Sequence, residues 1–292
     1  MNLTKNAVIR SFAAIGVAAV CIGGLMIITL AAVFLSLPDA SGLKKCMTTE
    51  MNKVQLCESG PKYVKLSEIS PNIIGAIIMS EDAAFYSHEG VDYDEMKESV
   101  IKDINEGRFA RGASTITQQL AKNVFTNGEK SLLRKAKEIY LAFQIEKIFT
   151  KPKILEIYLN VVEFGPEIYG IKEGAQYYFK VPPSQVRPEQ AAFLAFLLPN
   201  PKKYSQSFRK NELTPFARKT IKTILRKMLH GHKISEEEYN VALARVPYFP
   251  WQGGEAPVLA DGAASPAGSE VSEEGSQEGD DFKFDFEGEE EL

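Results

Sequence analysis

Apolar residues along this chain fall into three regimes. Phe12 to Leu35 is an uncharged run of 24 residues, longer than the ~20 residues that cross a hydrocarbon core. A secretory leader has a shorter apolar stretch of ~7–15 residues and a small-residue cleavage site. Ala31-Ala32 lies too deep in the run for such a site. The run therefore predicts an uncleaved transmembrane helix over 12–35. Lys5 and Arg10 precede it and place residues 1–11 in the cytoplasm; Lys44 and Lys45 follow it and weaken the charge asymmetry. The body is then expected outside the cytoplasm.

From 64 to 250 the apolar positions recur at helical spacing. Ser70-Pro71 reads as an N-cap and first helical residue, followed by Ile73, Ile74, Ile77 and Ile78 on one face up to Glu81. Tyr93 to Asn105 is amphipathic, and Gly107 to Gly112 is a basic loop. Ser114 caps a predicted helix to Phe125, broken by Asn127-Gly128. Further helices are expected over Ser131 to Phe149, Thr150 to Asn160, Pro188 to Leu198, Thr214 to Leu229 and Ser235 to Ala244, the last with capping-box form. Residues 36–63 read as a stalk and Val161 to Ile171 as a glycine-bearing loop. With no clear strand alternation, the body is expected to be mainly α.

Charge divides the chain again. The net charge is −4 over 292 residues. From Glu255 onward there are 13 acidic residues and one lysine, so the tail carries −12; the preceding residues hold 33 Lys+Arg against 25 Asp+Glu, or +8. Residues 251–292 are rich in Gly, Ser, Ala, Glu and Asp, and are expected to be a disordered acidic tail. A basic body suits an anionic substrate or anionic lipid heads, and no nucleic-acid partner is expected. Cys46 and Cys57, eleven apart in a polar segment, are a disulfide candidate or two free thiols; Cys21 lies in the apolar run. His88, His230 and His232 are scattered and form no ligand cluster.

Candidate chemistry gathers in two stretches. Glu81 and Asp82 end an apolar helix, where partial burial raises a carboxylate's pKa and suits Glu81 to act as a base. His88 is in reach of either carboxylate. Ser114, Thr115, Gln118, Gln119 and Lys122 line one helix face with donors, and Arg134, Lys137 and Glu138 share a face of the next. With Lys130, these cations are enough to hold a pyrophosphate.

At these residues the chain resembles the family 51 glycosyltransferases, in their monofunctional form. Glu81-Asp-x-x-Phe85-x-x-His88-x-Gly90 resembles the family's first motif, and Gly112-x-Ser114-Thr-Ile-Thr-Gln-Gln-Leu-x-Lys122-Asn123 its second. Arg134-Lys135-x-x-Glu138 and Ile154-Leu-Glu156-x-Tyr158-Leu-Asn160 resemble the third and fourth, and Gly170-Ile171, Tyr178-Phe179 and Leu197 to Pro201 the closing region. Ala113 departs from the glycine common at its place.

The resemblance implies a lysozyme-like glycosyltransferase domain over 64–250 that polymerises lipid II into β-1,4 glycan strands with inversion, releasing undecaprenyl pyrophosphate. Glu81 would be the general base and Glu138 the second catalytic carboxylate. Asp82, Phe85, His88, Ser114, Thr115, Gln118, Gln119, Lys122, Lys130, Arg134 and Lys137 would bind substrate. A divalent cation (Mg or Mn) would bridge the pyrophosphate, with Glu81 and Asp82 as candidate metal ligands. Implied partners are lipid II, the nascent strand, membrane lipid, and penicillin-binding, divisome or elongasome proteins at the periplasmic side of the inner membrane. An apolar region of Met96, Val100, Ile101, Ile104 and Phe109 would dip into the leaflet. Ser-x-x-Lys at Ser59, Ser99 and Ser207 has no accompanying Lys-Thr-Gly, so no transpeptidase is expected. Two rivals are carried: a lytic muramidase-like enzyme, and a non-catalytic membrane-anchored cell-wall assembly factor.

Overall fold

Ser70 opens the first helix of the body: its hydroxyl accepts the Asn72 N–H at 3.3 Å, and Pro71 takes the first helical position, where a missing N–H loses no bond. The structure, a computed structural model, describes residues 16–17, 20–28, 38–106, 114–127 and 131–251. Two compact units divide the chain, residues 1–40 and 41–292. In the first, residues 20–28 are helical. Among the described residues no helix is long and apolar enough to cross a membrane. Much of the 12–35 run, the 107–112 loop with Phe109, Lys130 and the tail from 252 lie outside the described residues.

Eleven helices are described in the second unit. They are α1 (Pro71–Glu81), α2 (Tyr93–Glu106), α3 (Ile116–Phe125), α4 (Leu132–Ile148), α5 (Lys151–Val161), α6 (Ile171–Phe179), α7 (Pro188–Leu197), α8 (Pro201–Tyr204), α9 (Gln206–Arg209), α10 (Pro215–His230) and α11 (Glu236–Arg245). Helix α7 is buried at all ten positions, from Pro188 to Leu197, and is apolar apart from Glu189 and Gln190, which suits a central helix. Helices α1, α10 and α11 pack around it, while α3 packs on α4 and α5. Glu81 ends α1 and faces α3, so the candidate chemistry sits where these two groups meet.

The stalk expectation is corrected. Strands β1 (Met47–Thr48) and β2 (Gln55–Leu56) form an antiparallel hairpin whose flanks are joined by the Cys46–Cys57 disulfide. In the hairpin turn, the Glu50 and Met51 N–H groups donate to the Val124 and Asn123 carbonyls at 2.8 and 3.4 Å. Those carbonyls belong to the last turn of α3, which has no N–H donors of its own to offer them. The segment is thus part of the folded body. The loop expectation over 161–171 is refined too: β3 (Glu163–Gly165) and β4 (Ile168–Tyr169) pair antiparallel there with a bulge between Glu163 and Gly165, and α6 follows. Strands of two or three residues show no alternation to read.

The fourth motif ties the chain before α1 to α5. Glu156 accepts from Tyr63 Oη at 2.6 Å, Leu66 N at 2.8 Å and Lys153 Nζ at 2.6 Å. Asn160 accepts the Val64 N–H and returns its amide N–H to the Val64 carbonyl, both at 2.8 Å. Gly170, at φ +77, passes so close to Asn160 that an added Cβ would lie 2.8 Å from its carbonyl oxygen. At the far end Trp251 is buried, donating to the Arg245 carbonyl at 2.7 Å and accepting from Gln190 at 3.2 Å. Trp251, beyond the expected boundary at 250, therefore belongs to the fold.

Candidate active site

Helix α1 delivers Glu81 and Asp82 to opposite duties. Asp82 is 2% exposed. Its Oδ1 and Oδ2 lie 2.9 and 3.1 Å from His88 Nε2, and Oδ2 accepts the Ile116 N–H at 2.9 Å. The Gly90 N–H donates to His88 Nδ1 at 3.1 Å, so that nitrogen carries the lone pair and Nε2 carries the proton given to Asp82. Ile116 is the first residue of α3, where the helix dipole favours a carboxylate. Thr115 adds a second tie: it caps α3 by accepting the Gln118 N–H at 3.2 Å and donates to the Gly90 carbonyl at 2.7 Å. The cap is thus Thr115 rather than the expected Ser114. Gly90 sits at φ +91, and an added Cβ there would lie 3.2 Å from Ala142 and Glu146. Asp82, His88, Gly90 and Thr115 together hold α3 against the end of α1.

Glu81 is only partly buried and takes a different partner. Gln119 Nε2 donates to Glu81 Oε2 at 2.9 Å, and Tyr158 Oη donates to Gln119 Oε1 at 2.9 Å. Burial pushes the Glu81 carboxyl up to about 7; Asp82 adds to the rise, while Gln119, Lys122 and Lys227 oppose it. A carboxylate that titrates near neutrality can accept and release a proton at working pH.

Helix α4 supplies the cations. Lys135 Nζ donates to Ser114 Oγ and Gln118 Oε1, both at 2.8 Å, and lies 3.6 Å from Glu138 Oε2. Burial lowers the Lys135 ammonium, with Glu138 opposing. Glu138 is 3% exposed and ion-paired to Arg134, one turn earlier on the same helix. Lys122 on α3 connects the two groups, its charge acting on Glu81 and on Lys135. The structure so brings together Glu81, Ser114, Gln118, Gln119, Lys122, Arg134 and Glu138. Lys137 makes no hydrogen bond or ion pair among the described residues. Phe85 is fully buried under the Lys151 ammonium at 4.6 Å from its ring centre, so it packs the loop.

Sequence reasoning left out three residues. Lys135 stood in the quoted third motif, and its three-residue step to Glu138 was a readable signal. Tyr158 stood in the fourth motif without a role. Glu163, whose carboxyl is raised by burial and opposed by Lys202 and Lys122, carried no signal. The Glu81–Asp82 pair does not fit a protein-held cation. Both Asp82 oxygens are committed to His88 and Ile116, and among the described residues no group of three or more His, Cys, Asp or Glu gathers that could hold a metal.

A raised carboxylate beside Lys122, with Arg134 and Lys135 on the next helix, can exchange a proton and meet negative charge. A family model described as Transglycosylase matches residues 49–229, and the chain belongs to that family. It is 41% identical over 167 residues to a biosynthetic peptidoglycan transglycosylase of Nitrosospira multiformis, covering 57% of this chain and 71% of that protein. Like-named proteins of a Janthinobacterium species and Agrobacterium fabrum are 47% and 46% identical over 143 and 140 residues. Those two alignments cover 49% and 48% of this chain and 62% of each relative.

Proposed function

We propose that this chain polymerises lipid II into β-1,4 glycan strands on the outer side of the cytoplasmic membrane. The observation that carries the reading is Glu81, held by Gln119 at 2.9 Å and acted on by the Lys122 charge, which also acts on Lys135 of the α4 cation group. Glu81 takes the proton from the acceptor sugar's 4-hydroxyl. That oxygen attacks the anomeric carbon of the donor strand from the face opposite the pyrophosphate and inverts it. The bond to the lipid pyrophosphate breaks, and its negative charge is met by cations already in place, which need no reorganisation as charge develops. Lys135, fixed by Ser114 and Gln118, and Arg134, fixed by Glu138, are suited to that task. Each can shift its contacts from protein oxygen to phosphate oxygen.

The membrane belongs to the same proposal. The lipid-linked substrate is confined to the bilayer, and the uncharged run Phe12 to Leu35 is long enough to anchor the enzyme there. Helix α2 exposes Tyr93 and Ile101, at 63% and 49%, and gives an apolar contact for the leaflet. The test is incubation of the full-length chain with lipid II. Longer strands support the reading, and their loss in Glu81→Gln supports the base. Cleavage of finished strands would favour a muramidase. Normal cell-wall growth with Glu81→Gln would favour a non-catalytic assembly role.

A further inference from the structure

A buried phenol reaches the Glu81 carboxylate through one amide. Tyr158 lies on α5 and is fully buried. Its hydroxyl donates to Gln119 Oε1 at 2.9 Å, and Gln119 Nε2 donates onward to Glu81 Oε2 at 2.9 Å. Gln119 Nε2 also lies 3.4 Å from the Ser114 carbonyl oxygen. A glutamine amide can sit either way round, and its neighbours decide which. Turned over, Gln119 would set its oxygen against the Glu81 carboxylate and the Ser114 carbonyl, acceptor facing acceptor. In the observed orientation Oε1 is turned inward, where it needs a donor, and Tyr158 is that donor. Burial raises the phenol well above its ordinary range, so it keeps its proton.

We propose that Tyr158 is a positioning residue: through Gln119 it keeps an N–H donor on the Glu81 carboxylate. The inference rests on Glu81 being the base of the proposed reaction. A donor on the carboxylate stabilises its ionised form and opposes burial. The other charged groups acting on Glu81 are Asp82 at the end of its own helix, Lys122 from α3 and Lys227 from α10. Helix α7, packed on α1, carries one charged residue, Glu189, which Arg187 holds at 2.7 Å.

Tyr158→Phe keeps the ring and removes the donor. The full-length variant and its parent would be titrated by the infrared carboxyl band of Glu81, assigned by its loss in Glu81→Gln. The expected result is a midpoint raised by about one pH unit, the size of a lost bond to a charged group. Polymerisation should then be weak at about pH 6.5 and recover at about pH 9, with kcat moved more than KM. An unchanged midpoint, or an activity loss of the same factor at every pH, overturns the inference. Should Tyr158→Phe fail to fold, the near-isosteric 3-fluorotyrosine in place of Tyr158 gives a stronger donor and should move the midpoint down; no movement overturns it. Relay-dependent shifts in a chain that never elongates lipid II would sink the functional reading and leave the relay standing.

Discussion

Asp82 accepts the backbone N–H of Ile116 at 2.9 Å, across 34 residues of sequence. One carboxylate thereby fastens the end of α1 to the start of α3, and the site depends on that joint. Asp82→Asn removes the charge that α3's N-terminus favours and leaves the His88 N–H competing with Ile116 for one amide oxygen. Removing a buried charged partner of this kind costs about 1–3 kcal/mol. Thermal unfolding of the variant should shift down accordingly. The sign at Glu81 is opposite: Asp82 raises that carboxyl, so its loss lowers it. The acidic limb of the pH–rate profile should move to lower pH even as activity falls.

Glu81 itself is held at a disadvantage to the fold. Its carboxyl rises from 4.5 to about 7 on burial, so the folded chain binds a proton more tightly than the unfolded one. That stability is fully present below about pH 4.5 and is lost as pH rises through about 7. Glu81→Gln removes the ionisable group. The variant should be inactive yet more stable than the parent at about pH 8, by roughly 1–3 kcal/mol, with the gap closing near pH 4.5. Denaturant midpoints at the two pH values check this; equal midpoints at both would show that the carboxylate is not desolvated.

How much of this was legible beforehand depends on what each residue contacts. Helix α1 was readable because a serine cap, a proline and an isoleucine face signal locally. The raised carboxyl of Glu81 was readable for the same reason, since it ends that face. Asp82 was not readable as a strut, because its partner Ile116 is distant and donates through the backbone, which every residue can do. Tyr158 and Glu156 lie in one motif yet serve different ends, one orienting Gln119 and one gripping Tyr63 and Leu66. Spacing along a helix identifies a face but not its neighbour. By the same limit, helical spacing did not reveal that Lys135 contacts Ser114 and Gln118.

Gly170 tests the packing under the site. At φ +77 and ψ 153 it occupies backbone territory that L side chains avoid, and Asn160 leaves no room for a Cβ. Gly170→Ala should destabilise by about 1–3 kcal/mol from the backbone alone, with more from the contact. Because Asn160 also clamps Val64, amide exchange should quicken at residues 64–66. Unchanged exchange there would separate Gly170 from the clamp.

The division of labour on α4 gives the sharpest comparison. Lys135 touches Ser114 and Gln118 and sits beside the Arg134–Glu138 pair, whereas Lys137 has no such bond among the described residues. Lys135→Met removes a fixed cation from the proposed leaving-group side, and loss of one preorganised donor typically lowers kcat by about 100-fold or more. Lys137→Met removes a charge with no fixed partner among the described residues and should lower it by less than about 10-fold. Glu138→Gln should resemble the first change in kcat and add a loss of stability, because it leaves two cations without their shared carboxylate. Turnover of lipid II by the three variants at one pH, with melting temperatures alongside, checks all three expectations. A larger loss from Lys137→Met than from Lys135→Met would mean that the pyrophosphate lies on the other side of α4, away from Ser114.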